Sequence, residues 1–170
     1  MGKLAASDPN QTSVTPFGPK LEEKDMESDE ILESACNALV GLFRDQVQSG
    51  RNCVHSRIFN YVLHPEANYV GCGRSISLSE EEKAHPEHIV PCSVLVGESF
   101  RLIKEGVRSD EEIAGMLQRH WKIAQITKAE ARFLDSDLKL KSKMPSGWRF
   151  EDGDTFARLD AAGITLVSDS

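Results

Sequence analysis

The chain has 170 residues, of which 39% are hydrophobic and 28% charged, and its net charge is −7 at pH 7. That balance suits one globular domain with a single core, and it excludes a protein that coats nucleic acid by bulk attraction. No apolar run approaches the ~20 residues that cross a bilayer, and no apolar stretch follows Lys3 as in a secretory leader, so a cytoplasmic protein without a membrane partner is expected.

Residues 1–25 are rich in Gly, Ser, Pro, Asn and Thr and lack apolar periodicity, so they are expected to form an unstructured arm ahead of a domain over 26–170. Ile31, Leu32, Ala35, Leu39, Leu42, Phe43 and Val47 then recur at helical spacing until Ser49-Gly50. A shorter helix is predicted around Ile58, Phe59, Val62 and Leu63, ending at His64-Pro65, because a proline disfavours helical geometry in the residue before it. Residues 66–79 read as loop from their Gly, Ser and Asn content. Beyond Pro91, Ser93 is the expected cap of a helix carrying Val94, Leu95, Phe100, Leu102 and Ile103, closed by Gly106.

Ser109 with Glu112, and Thr127 with Glu130, have the spacing of capping boxes, in which each side chain satisfies a free N–H of the other's backbone. The first box opens a helix with Ile113, Met116, Leu117 and His120 or Trp121 on one face, and the second a helix burying Phe133 and Leu134. Alternation over 121–126 predicts a short half-buried strand between them. Met144-Pro145-Ser146-Gly147-Trp148 reads as a turn with an aromatic anchor, and Asp154 as the cap of a last helix ending at Gly163 before an apolar 164–167. The fold class is α+β: a mainly helical domain with a few short strands.

Charge is unevenly placed. Seven acidic residues lie between Glu22 and Glu33 against Lys24 alone, whereas Arg119 to Arg149 holds eight basic residues against Glu130, Asp135 and Asp137. Such a basic stretch can meet phosphates or simply solvate a helix and a loop. The four cysteines lack CxxC pairing, and free thiols are expected; a zinc site from Cys53, His55, Cys72 and His85 would match no standard ligand spacing.

The segment Glu87-His88-Ile89-Val90-Pro91 carries the most chemistry. It resembles the opening of the HNH, or ββα-metal, nuclease motif, in which an acidic residue and a histidine stand together with a proline three positions on. The resemblance implies metal-dependent hydrolysis of nucleic-acid phosphodiesters with Mg²⁺ or a similar divalent ion. Neighbours on an extended backbone face opposite ways, so Glu87 can hold the ion while His88 acts as general base. That family draws a further ligand from a helix after a strand, and Glu130 occupies such a place, in the first turn of the helix that follows the strand expected over 121–126. Lys128, Arg132, Lys139, Lys141 and Lys143 would then bind nucleic acid. The glycine pair usual after the proline, the central asparagine and a C-terminal histidine are missing.

A wider pattern joins this segment to Ile126-Thr127-x-x-Glu130, Met144-Pro145-x-x-Trp148 and Ala157-Arg158 before Ala162-Gly163-Ile164. It resembles one in uncharacterised bacterial proteins and implies no activity. Two other functions compete. One is a non-catalytic acidic inhibitor or adaptor that meets a basic protein through 22–33. The other is a thiol enzyme using Cys92 with His88, since a helix start favours a thiolate. Each residue also has a plain structural role available: a surface carboxylate for Glu87, a backbone-bonded ring for His88, and the capping box for Glu130.

Overall fold

The computed structural model describes residues 20–51 and 53–168, with side chains from Glu27 onward. Helix α1, Lys20–Gln48, begins inside the stretch expected as an arm, and residues 1–19 of that stretch lie outside the described ones. Leu32, Ala35, Cys36, Leu39, Val40 and Phe43 are buried at spacings of three and four, which puts them on one stripe. Ile31 and Leu42 sit at the margin of that stripe and are exposed. Gly50, at φ +66°, ends the helical run where glycine tolerates the left-handed turn.

Short helices α2, Ile58–Val62, and α3, Ala67–Val70, lead into strand β1, Gly71–Ser75. The predicted loop over 66–79 is thus corrected to a helical turn and a strand. Gly71 and Gly73 disfavour a strand, so pairing with both neighbours stabilises β1. Gly73 is required in detail: its φ is +122°, and a Cβ there would collide with the carbonyl of Val167.

Strand β2, His85–His88, precedes α4, Cys92–Glu105. Pro91, rather than Ser93, occupies the N-cap, and no side chain caps this helix; Gly106 closes it in the left-handed conformation. Helix α5, Asp110–His120, opens with the Ser109–Glu112 capping box. Strand β3 covers Ile123–Ile126, shorter than the expected 121–126, because Trp121 ends α5 with its indole fully buried. Helix α6, Lys128–Arg132, opens with the Thr127–Glu130 box and runs into a π-helical turn over Phe133–Asp137. There Leu134 is buried but Phe133 is exposed, contrary to the expected pair.

Trp148 stacks edge-on against His120, with ring centroids 5.1 Å apart, and so anchors its turn. Asp154 accepts a bond from the Phe156 N–H at 2.8 Å just ahead of α7, Ala157–Ala161. Strand β4, Leu166–Val167, completes a four-stranded sheet in the order β2-β3-β1-β4. Strand β1 lies parallel to β3 and antiparallel to β4, while β2 lies antiparallel to β3.

Apolar layers cover both faces of the sheet. One joins α1, α4 and α5 to Phe59, Val70, Trp121, Ile123 and Phe150. The smaller one joins Ile89, Ala124, Ile126, Ala131, Leu134 and Leu159. Central β3 is therefore buried on both sides, which explains its departure from simple alternation. The class is α+β, as its sequence predicts. Among the described residues no helix is long and apolar enough to cross a membrane.

Candidate metal centre

Strand β2 sets the geometry of the candidate site. Glu87 pairs with Ala124 and His88 with Ile123. Directly paired residues of antiparallel strands share a face, so these two neighbours diverge. His88 turns toward the layer that holds Ile123 and the large helices, and Glu87 toward the layer of α6 and α7.

On its side, His88 Nε2 lies 2.7 Å from Glu66 Oε1 and donates to it. The Trp121 indole N–H donates to the same oxygen. Glu66, the residue before α3, is 8% exposed. Two donors make that burial tolerable, since an unpaired buried carboxylate is very costly. Cys92 opens α4 four positions after His88 and brings its sulfur to the same place. One ligand atom from each of Glu66, His88 and Cys92 lies within 4.8 Å of the other two. Among the described residues, this is the one group of three such side chains able to hold a metal ion. Burial foremost, and then the Glu66 carboxylate, push the Cys92 thiol up to about 12.

A cleft of about 210 Å³ opens over the site, with Ser56, Glu87, His88, Cys92, Ser93 and Lys141 in its walls. Glu87 shares this cleft with His88 but has other partners. One of its oxygens accepts from the Arg158 guanidinium, and the other lies 3.5 Å from His85 Nε2. Arg158, its side chain 1% exposed, also donates from Nη1 to the His88 carbonyl at 2.6 Å and lies 3.8 Å from Asp135.

Glu130 stands apart from the group. Its Oε2 accepts from the Thr127 N–H at 2.8 Å, and its Oε1 accepts from the Ser75 hydroxyl at 2.6 Å. The capping box therefore occupies one oxygen and β1 the other. Lys128, Arg132, Lys139, Lys141 and Lys143 are all exposed, and of these only Lys141 lines the cleft. Glu27, Asp29, Glu30 and Glu33 form an exposed acidic face on α1.

The unusual zinc set does not assemble among the described residues. Cys53 bonds Gln46 and the His55 ring accepts from the Arg57 N–H in one surface pocket, whereas Cys72 reaches the Ile123 carbonyl and His85 lies by Glu87. His120 is structural: it is buried between Thr155 and the Phe150 carbonyl, with bonds of 2.9 Å to each.

Glu66 is the member of the group that sequence reasoning missed. It follows Pro65 in a stretch read as loop, and no local pattern distinguishes it. Cys92 is expected beside His88 as a thiol and its base because it opens a helix; it does open α4, but burial there disfavours the thiolate instead of promoting it. Comparison with known proteins finds no family model, no curated protein and no solved structure that matches this chain.

Proposed function

We propose that this protein is a metal-dependent hydrolase of nucleic-acid phosphodiesters, with Glu66, His88 and Cys92 as the ligands of one divalent ion. The observation that carries this reading is the convergence of those three donors beneath a polar cleft whose walls include Glu87 and Lys141. Relative to the sequence-based roles, His88 becomes a ligand and Glu87 the cleft carboxylate that accepts a water proton. Glu130 keeps its capping role. One oxygen, one nitrogen and one sulfur donor suit Zn²⁺ or Co²⁺ better than Mg²⁺, which prefers oxygen throughout. Three protein ligands leave a coordination position for water, the pattern of catalytic zinc sites. A bound ion would supply Lewis acidity and a more acidic water. Lys141 offers a point charge to a phosphate oxygen.

The test is cleavage of single- and double-stranded DNA and RNA with Zn²⁺, Co²⁺, Mn²⁺, Mg²⁺ or chelator. Activity is expected to vanish with chelator and to return with zinc. His88→Ala and Cys92→Ser should lose metal affinity. Glu87→Gln should keep the ion yet turn over about 10²–10⁴-fold more slowly, the usual contribution of a positioned base. Glu130→Gln should retain metal. A zinc-loaded protein inactive on all four substrates would eliminate the nuclease reading. The exposed acidic face of α1 would then favour the non-catalytic interaction protein, with a basic protein as its partner.

A further inference from the structure

We infer that Arg158 is the positioning residue of this site: its buried guanidinium holds the His88 carbonyl and the Glu87 carboxylate together. His88 thereby presents its ring to Glu66 and Cys92, and Glu87 is kept in the cleft wall and off the metal. The inference rests on the metal-site reading above and adds a residue from the far end of the chain, 70 positions beyond His88.

Arg158 is the one arginine or lysine among the described residues that is fully buried. Burying a cation is costly unless it is paired, so its partners define why it is there. Nη1 donates to the His88 carbonyl at 2.6 Å and approaches the Ile89 carbonyl at 3.5 Å. Nη2 binds Glu87 and lies 3.8 Å from Asp135. Three of these four acceptors belong to successive residues of one strand end, Glu87, His88 and Ile89. A planar, five-donor guanidinium can span such a set, whereas an ammonium cannot hold the same fork.

The geometry also accounts for the division of labour between Glu87 and His88. Strand alternation sends them to opposite faces, and the face toward α7 already supplies a cation. There Glu87 commits one oxygen to Arg158, which withholds that oxygen from a divalent ion and leaves the other, 3.5 Å from His85 Nε2, to accept a proton. Among the described residues no arginine or lysine is bonded to Glu66, whose donors are the His88 ring and the Trp121 indole. One metal ion per chain follows. Outer partners that orient a ligand typically matter about 10–100-fold in metal affinity.

The experiment titrates the full chain with Co²⁺, whose absorption reports thiolate ligation and coordination geometry, in wild type, Glu87→Gln, Arg158→Lys and Arg158→Met. Circular dichroism checks each fold. Wild type should bind one Co²⁺ with a thiolate band, and Glu87→Gln should bind one with affinity within about threefold. Arg158→Met should bind about 10–100-fold more weakly with an altered cobalt spectrum, and Arg158→Lys should recover part of both. In parallel, long-range ¹H–¹⁵N spectra of the metal-free proteins follow the His88 ring, assigned with His88→Gln. Its signals should move in the Arg158 variants while those of His55 stay in place. If wild type takes up no cobalt, the metal-site reading fails, and the ring spectra still decide the positioning role. A folded Arg158→Met with unchanged His88 signals and cobalt affinity overturns the inference. Should Arg158→Met not fold, Arg158→Lys with wild-type spectra and affinity overturns it equally.

Discussion

Cys36 lies wholly inside the helical core, where burial pushes its thiol up to about 12, while Cys53 is exposed beside Gln46. Alkylation requires the thiolate and access to it. Iodoacetamide should therefore modify Cys53 first and leave Cys36 untouched in the folded protein, as peptide mass mapping would show. Cys92, also pushed up to about 12, should react slowly, and added Zn²⁺ should protect it further if Cys92 is a ligand. Rapid labelling of Cys36 under native conditions would contradict its placement. His120 offers a second residue-scale test. Burial lowers its value from 6.5 to about 4. Between those values the unfolded chain binds a proton that the folded chain refuses, so stability must fall as pH falls. The loss between pH 7 and pH 5 should be about 2 kcal/mol from this residue. Urea titrations at the two pH values should show it, and His120→Gln should flatten the dependence. At this scale the sequence showed His88 and Cys92 as reactive types near each other. It could not show Glu66, whose role depends on Trp121, 55 positions away, and on His88, 22 positions away.

Helix α1 shows how periodicity becomes a stability pattern. Leu39 and Phe43 are fully buried and Asp45 is exposed. Leu39→Ala or Phe43→Ala should each cost roughly 2–5 kcal/mol, whereas Asp45→Ala should cost little. Equal losses at all three positions, measured by chemical denaturation, would refute that facing. The helices were largely legible because their signals are local: both capping boxes, the glycine stops and the apolar stripe act over one or two turns. Strand β1 was not legible, since its glycines acquire extended structure only from β3 and β4 on either side. Strand β3 leads directly into α6, the strand-then-helix order expected ahead of Glu130, and β2 pairs antiparallel with β3. Helices α4 and α5 lie between the two strands, so the pairing spans a sequence gap that no short motif encodes.

Across the whole molecule, the larger apolar cluster joins α1 near the start of the described chain to Phe150 near its end. One core of that extent predicts one cooperative transition. Tryptophan fluorescence and far-UV circular dichroism should lose their folded signals at the same urea concentration, since Trp121 is buried in that cluster. Two separated midpoints would show that the sheet and the helices melt independently. The sheet itself ends in two poor templates for further strands. On one side β4 is two residues long. On the other, Ile89 donates inward to the Lys122 carbonyl, so alternation turns the backbone of Pro86 and His88 outward. Pro86 has no N–H to offer a newcomer, and the outward carbonyl of His88 is already taken by Arg158. A sheet so finished resists growth by strand addition, the route by which exposed edges seed aggregation and domain exchange. The guanidinium at the site thus also acts as a stopper, keeping each copy of the chain from stitching itself to the next.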